Sequence, residues 1–467
     1  MGFIGREQEL ADLNDLYNAS GSKLVVVYGR RRVGKSTLIE QFTARTPTLS
    51  FEGLEGLKTR EQILHFTEDL SKQLNDPILA RTRLDNWQLI FDYLTEYFSQ
   101  NKKKQVLFLD ELQWLAANQK KLVSIIKKYW DKHWSKQNVM LILCGSVSSY
   151  MVKRVIQSKA LYGRINWELC LQPLNLKEIY KLLGKKRSKD EVLKYAMILG
   201  GIPKYLNEVN TNQSFEQNMN KLCFTDTGIL VNEYEMAFYS QFKGYTTYVT
   251  IVNLIKDKPH SLAEIADKLK MTSSGGVKSY LDNLESALFI TSYVPYNKGE
   301  QSKLKKYKLT DEYLRFYFKY IAPHLKLIKT NRHRDLFMQL IKPTWEPWLG
   351  FAFENLCLKN AMNLAKIMSF SDQVISYGPL FHKGTDHFQI DLLYVRNDHV
   401  ITVCEIKYLN QPVSTIVVKD VERKCRLVTI PRGYTVEKAL ICRFGADEAL
   451  LALDYFNHIV TVEDLLE

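Results

Sequence analysis

The chain has 467 residues, 46% apolar and 25% charged, a balance that suits about three globular domains and excludes a mainly disordered chain. Its 64 Lys and Arg against 51 Asp and Glu leave a formal charge of +13, which favours an anionic partner such as nucleotide, nucleic acid or an acidic surface. Apolar runs fall far short of the roughly 18 residues of a membrane-spanning helix, and Met1–Arg6 lacks the apolar stretch of a signal peptide. The seven cysteines are scattered and never in CxxC spacing, which disfavours a disulfide framework or zinc ribbon. These features predict a cytoplasmic protein with no membrane partner.

Through about residue 175, short β runs alternate with longer helical segments, the pattern of an α/β domain with a parallel sheet and crossover helices. The predicted strands are Lys23–Tyr28, Gln105–Leu109 and Val139–Cys144, each nearly continuous in apolar residues, as strands covered on both faces are. Gly29-Arg-Arg-Arg-Val-Gly-Lys-Ser36 follows the first strand, precedes the helical run Thr37–Phe42 and fits G-x-x-x-x-G-K-[ST] in full. Gly29 and Gly34 let the loop curl, so that backbone N–H groups from Arg30, Arg31, Arg32 and Val33 through Thr37 face phosphate, helped by the positive end of the helix. Lys35 is expected to reach the β- and γ-phosphates and the Ser36 hydroxyl to ligate Mg²⁺. The three arginine side chains are expected to form an exposed basic tip.

The strand Val106-Leu-Phe-Leu-Asp110-Glu111 ends in two acids where a parallel sheet presents its ligand side. Asp110 is expected to hold Mg²⁺ through water, and Glu111 to orient or deprotonate the attacking water. Together with the P-loop they predict ATP or GTP binding. The following segment carries Lys120, Lys121, Lys127, Lys128, Lys132 and Lys136 among Leu122, Ile125, Ile126 and Trp130, and reads as the solvated face of an amphipathic helix.

On these motifs the N-terminal half resembles the archaeal-type ATPases of the AAA+/STAND class, a family also found in bacteria. Phe3-Ile-Gly-Arg-Glu-Gln-Glu-Leu10 matches that family's opening motif, Cys144-Gly-Ser146 its polar sensor, Leu161-Tyr-Gly-Arg164 the segment with an arginine finger, and Gly200-Gly-Ile-Pro-Lys-Tyr205 its lid signature. The resemblance implies ATP rather than GTP, an ATPase core over 1–175 and a helical lid over 176–240, with Ser146 near the γ-phosphate or water. Arg164 has two readings: a finger acting in trans within a homo-oligomer, or a surface arginine paired with a nearby acid.

Residues 241–325 read as a winged helix. Helices are predicted over Tyr248–Ile255, Ser261–Leu269 and Val277–Leu288, the second with Ser261 as N-cap and Glu264 completing a capping box. Strands Ile290–Pro295 and Leu304–Leu309 flank a tip at Asn297–Glu300. Lys278, Lys298, Lys303, Lys305, Lys306 and Lys308 are then candidates for nonspecific phosphate contacts with duplex DNA. A protein–protein or interdomain wedge is the other use of such a module.

Within 326–467, Gln389–Val395 and Val400–Lys407 read as a hairpin around Asn397-Asp-His399, a register that sets Asp391 opposite Glu405, with Lys407 on the same face. Two carboxylates suit Mg²⁺ or Mn²⁺, and the lysine suits water or phosphate. This D-x(n)-E-x-K arrangement resembles the PD-(D/E)XK restriction-endonuclease-like superfamily. Glu354, in the helical run Trp348–Cys357, matches its additional acid, and Ile390 stands where the motif has proline. His382 and His387 read as loop residues. The combined expectation is an ATPase that controls a metal-dependent nuclease on DNA. The alternative is a STAND-type switch whose C-terminal domains bind a partner and cut nothing.

Overall fold

In the computed structural model the chain is described throughout except at residues 1–2, 83, 118–120, 147–149, 240, 243, 272–274, 295, 297–304, 331–334, 383–386 and 467. Lys120, Lys298 and Lys303 and the predicted tip at Asn297–Glu300 therefore lie outside the described residues. The chain divides into two compact units, Met1–Pro173 with Gln241–Lys243, and Leu174–Ser240 with Gly244–Glu467. The helices that follow residue 174 thus group with the C-terminal part of the chain.

The first unit is built on a five-stranded parallel sheet: β1 (Lys23–Gly29), β2 (Thr48–Glu52), β3 (Gln105–Asp110), β4 (Val139–Ser146) and β5 (Trp167–Cys170), in the order β2-β3-β4-β1-β5. The central strands β3 and β4 are buried at every position, which is why their sequences read as continuous apolar runs. The sequence reading misses β2 and β5: both are short edge strands with exposed or half-buried positions, so neither carries that signal. Phe51 of β2 stacks on Phe66 with centroids 3.7 Å apart, anchoring the edge to the helix Thr59–Leu74. The helix Lys121–Lys132 buries Leu122, Ile125, Ile126, Tyr129 and Trp130 and exposes Lys121, Lys128 and Lys132, the amphipathic arrangement expected of it.

The second unit opens with helices Leu176–Leu183, Lys189–Leu199, Pro203–Leu206, Phe215–Cys223 and Glu233–Tyr239. Capping boxes at Asn175/Glu178 and Ser214/Gln217 start the first and fourth. The Gly200–Gly201 pair has a steric cause: the Leu174 N–H donates to Gly201 O at 2.7 Å, and a Cβ on Gly201 would lie 2.0 Å from Leu174 O.

Next come helices Tyr245–Ile255, Leu262–Lys268 and Gly275–Ser286, with β6 (His260–Ser261), β7 (Ile290–Tyr293) and β8 (Lys306–Leu309) forming an antiparallel sheet in the order β6-β8-β7. Ser261 and Glu264 form the expected reciprocal cap. Two-residue β6 is too short to leave a sequence pattern.

The C-terminal sheet contains β9 (Val374–His382), β10 (Phe388–Arg396), β11 (Val400–Lys407), β12 (Thr435–Cys442) and β13 (His458–Thr461), in the order β13-β12-β11-β10-β9. It is mixed: β9, β10 and β11 pair antiparallel, whereas β11, β12 and β13 pair parallel. The β10–β11 register runs from Leu392↔Cys404 to Val395↔Ile401, as the alternation predicts. His382 corrects the loop reading: it ends β9, and its ring stacks on Phe388, with centroids 5.3 Å apart. All seven cysteines are free; Cys144, Cys223, Cys357, Cys404 and Cys442 are buried. Among the described residues, no helix is long and apolar enough to cross a membrane.

Candidate functional site

At the carboxyl end of β1 the chain turns through Gly34, with φ of 89°, directly into the helix Lys35–Thr43. A positive φ is inexpensive at glycine. It leaves the loop N–H groups at the positive end of the helix. Buried Lys35 folds its Nζ over the loop, 3.2 Å from both Gly29 O and Arg30 O. Ser36 Oγ donates to Asp110 Oδ2 at 2.5 Å, so the P-loop hydroxyl and the strand-end carboxylate meet as the two motifs require. A hydroxyl and a carboxylate so joined are a donor set that suits Mg²⁺.

Val33 is buried, whereas Arg32 and Thr37 are exposed and Arg31 is half-buried. Arg30 corrects the expectation of an outward basic tip, because it is 5% exposed. It directly follows β1, where the loop has not yet left the sheet. The opening motif closes on the same loop: the Arg6 guanidinium donates to Val33 O at 3.4 Å and Gln172 O at 2.5 Å and pairs with Glu9 at 3.2 Å. Arg6 thus links the N-terminal segment, the P-loop and the chain beyond β5.

Because β4 lies between β1 and β3, its terminal Ser146 stands opposite Gly29 in register and beside the acidic end of β3. Glu111 has φ of 44°, a left-handed turn that is uncommon without glycine. Its N–H donates to Asp110 Oδ1 at 2.8 Å. Sequence reasoning missed two neighbours. Gln113 is buried and its amide N–H₂ bridges Glu111 Oε2 and Ser146 Oγ, the latter at 3.2 Å. Glu52, paired with Asp110 across β2–β3, has its carboxyl pushed up by burial and by the charges of Asp110 and Glu111. Only the strand order could have revealed either one.

Arg164 is brought to Asp131, not to the P-loop. Its Nε and a terminal nitrogen donate to the two Asp131 oxygens at 2.6 and 2.9 Å, and the other terminal nitrogen donates to Tyr162 O at 3.1 Å. Lys127 adds a contact at 2.9 Å. The hydrogen bond from Arg164 is the largest influence holding the Asp131 carboxyl down at about 2.

In the second unit, β10, β11 and the helix Trp345–Lys359 gather Asp391, Glu405, Lys407 and Glu354. Gln389 donates to Asp391 Oδ1 at 3.0 Å and to Glu354 Oε2 at 3.5 Å, and the Ile406 N–H donates to Asp391 Oδ2 at 3.1 Å. Glu405 is 1% exposed, with Lys407 Nζ 2.7 Å from one oxygen and Lys424 Nζ 2.7 Å from the other. Lys424, from the helix Ile416–Leu427, also contacts Asp420 at 3.0 Å. Burial and the adjacent Asp391 push the Glu354 carboxyl up to about 7; burial and Glu405 push Asp391 up. Among the described residues, no group of three or more His, Cys, Asp and Glu is arranged to hold a metal. The carboxylate chemistry suits a hard cation, but here ammonium groups occupy both oxygens of Glu405.

The lysines assigned to DNA divide. Lys278 and Lys305 are exposed. Two others have partners within the fold: Lys306 pairs with Glu264 at 2.7 Å, and Lys308 lies near Arg315 and Glu354. Burial, then Arg315, pushes the Lys308 ammonium down to about 8.

Residues 3–209 match a family described as an ATPase domain predominantly from Archaea. That stretch of the chain is thus similar to archaeal-type ATPase domains. Residues 317–422 match a family described as archaeal and bacterial proteins of unknown function; the restriction-endonuclease-like assignment has no counterpart there. The chain is 28% identical over 431 residues to an uncharacterized protein of Methanocaldococcus jannaschii, covering 91% of this chain and 92% of that protein. It is 26% identical over 223 residues to an uncharacterized ATP-binding protein of Pyrococcus abyssi, covering 44% and 68%. A solved Walker-type ATPase of Pyrococcus abyssi aligns over 68% of this chain and 96% of its own, with 19% identity and a TM-score of 0.47.

Proposed function

We propose that the first unit binds and hydrolyses ATP at the P-loop, and that nucleotide state governs a DNA-directed site in the second. The observation carrying the ATPase reading is the Ser36–Asp110 contact with Glu111 alongside. The ATP-binding relative of Pyrococcus abyssi supports ATP as the nucleotide. The loop N–H groups and Lys35 bind phosphate, Lys35 exchanging its two loop carbonyls for phosphate oxygens. Glu111 accepts the proton of the attacking water, and Ser146 donates towards the phosphate. Mg²⁺, when held by Ser36 and Asp110, supplies charge neutralisation at the phosphates.

Lys35→Ala should abolish nucleotide binding in calorimetry, whereas Glu111→Gln should keep it and slow phosphate release by about 100-fold or more. Turnover at the parent rate in Glu111→Gln refutes the assignment. For Arg164, the Asp131 pair favours a fastening within one chain over a finger acting across a homo-oligomer.

The second-unit reading rests on the juxtaposition of Asp391, Glu405, Lys407 and Glu354. Lys407 is suited to phosphate, the acids to Mg²⁺ or Mn²⁺, and exposed Lys278 and Lys305 to the DNA backbone. Asp391→Ala, Glu405→Ala and Lys407→Ala should each abolish Mg²⁺- or Mn²⁺-dependent cleavage of linear or circular DNA. Wild-type protein that binds DNA and cuts none favours the alternative, a STAND-type switch that binds a partner.

A further inference from the structure

The ATPase motifs leave Gln113 without a role. Its amide joins the ends of two strands: Nε2 donates to Glu111 Oε2 and to Ser146 Oγ, the latter at 3.2 Å. The orientation of the amide follows from chemistry, because an ionised carboxylate only accepts hydrogen bonds. Gln113 is 3% exposed, and its Oε1 has no hydrogen-bond partner among the described residues. That oxygen lies 2.5 Å from where a Cβ on Gly145 would stand, with Met151 Sδ at 2.8 Å, so a side chain at residue 145 would push the amide or Met151 aside. Burying an unpaired carbonyl oxygen is unfavourable, and an apolar side chain of similar volume would fill the space without that cost. The placement therefore favours the amide for what its N–H₂ group does.

We infer that Gln113 is a positioning residue for ATP hydrolysis, fixing one oxygen of Glu111 so that the other faces the attacking water, and tying that carboxylate to the phosphate side of the site through Ser146. Ser146 stands opposite Gly29, the first residue of the phosphate loop. While its oxygen accepts from Gln113, its own O–H remains able to donate to a phosphate oxygen. One hydrogen-bonded chain then runs from Ser146, opposite the start of the phosphate loop, through Gln113 to Glu111. The inference rests on the reading of Glu111 as the acceptor of the water proton.

The test measures steady-state ATP hydrolysis and calorimetric nucleotide affinity of the full chain. Gln113→Met keeps volume and removes both donors. Its kcat should fall about 10- to 100-fold, the equivalent of one hydrogen bond to a charged group, with KM and nucleotide affinity unchanged. In a Glu111→Gln background the same substitution should have almost no further effect, because Gln113 acts through that carboxylate. Ser146→Ala probes the chain from its other end and should lose only part of its effect on kcat in that background, because its phosphate contact does not pass through Glu111. A structural role would instead give equal factors in both backgrounds and would overturn the inference, as would Gln113→Met at the parent kcat while Glu111→Gln is slow. Glu111→Gln at the parent rate overturns the underlying reading as well.

Discussion

Lys424→Met tests how the second unit tolerates its carboxylate cluster. Glu405 is 1% exposed, and its two oxygens lie 2.7 Å from Lys407 and 2.7 Å from Lys424. Removing one partner of a buried ion pair costs about 3–5 kcal/mol. Lys407, whose side chain is 37% exposed, remains against the other oxygen, so we expect the low end, about 3 kcal/mol. Hydrogen exchange of peptides across β11 reports this unit without interference from the first. A loss of that size lowers protection about 100-fold for amides that open only with the whole unit. The double variant Glu405→Gln/Lys424→Met should recover most of the loss, since a neutral amide needs no ammonium partner. Protection changed less than about 3-fold by Lys424→Met, or a double variant equal to the sum of the singles, would refute the reasoning.

Gly201→Ala would set a Cβ 2.0 Å from Leu174 O. Backbone cannot swing aside as a side chain can, and a loss of about 1–3 kcal/mol should appear in urea unfolding of the second unit. Arg164→Ala should flatten the acid limb of first-unit stability. Asp131, held at about 2 in the fold, stabilises above its unfolded pKa near ~3.9 and loses that contribution as pH falls through about 2, so thermal melts of the variant between these values should vary less. Ser36→Ala removes the hydroxyl that meets Asp110 and should mimic chelation: phosphate release should fall at least about 10-fold, and added Mg²⁺ should not restore it.

What could be read in advance was local. The phosphate loop, the Ser261/Glu264 cap and the β10–β11 register each depend on residues close along the chain, where period and turn geometry decide the outcome. Residues brought together by strand order were not legible. Gln113 reaches Ser146 only because β4 enters the sheet between β1 and β3, and Lys424 reaches Glu405 only after the chain leaves β11 and returns along a helix. The surroundings of the wing lysines were hidden for the same reason: counting charges on β8 cannot show that Lys306 faces Glu264 or that burial lowers Lys308.

The distribution of thiols has a practical consequence. Cys144, Cys223, Cys357, Cys404 and Cys442 are buried, and burial raises each thiol above its ordinary value, which suppresses the nucleophilic thiolate. They sit on β4, on the helices Phe215–Cys223 and Trp345–Lys359, and on β11 and β12. A pulse of alkylating reagent followed by peptide mass mapping would therefore read the chain as a set of local clocks, each thiol becoming labelled only when its own strand or helix opens. Labelling of Cys144 at a different rate from Cys404 would time the two units separately, with no probe added to the native sequence.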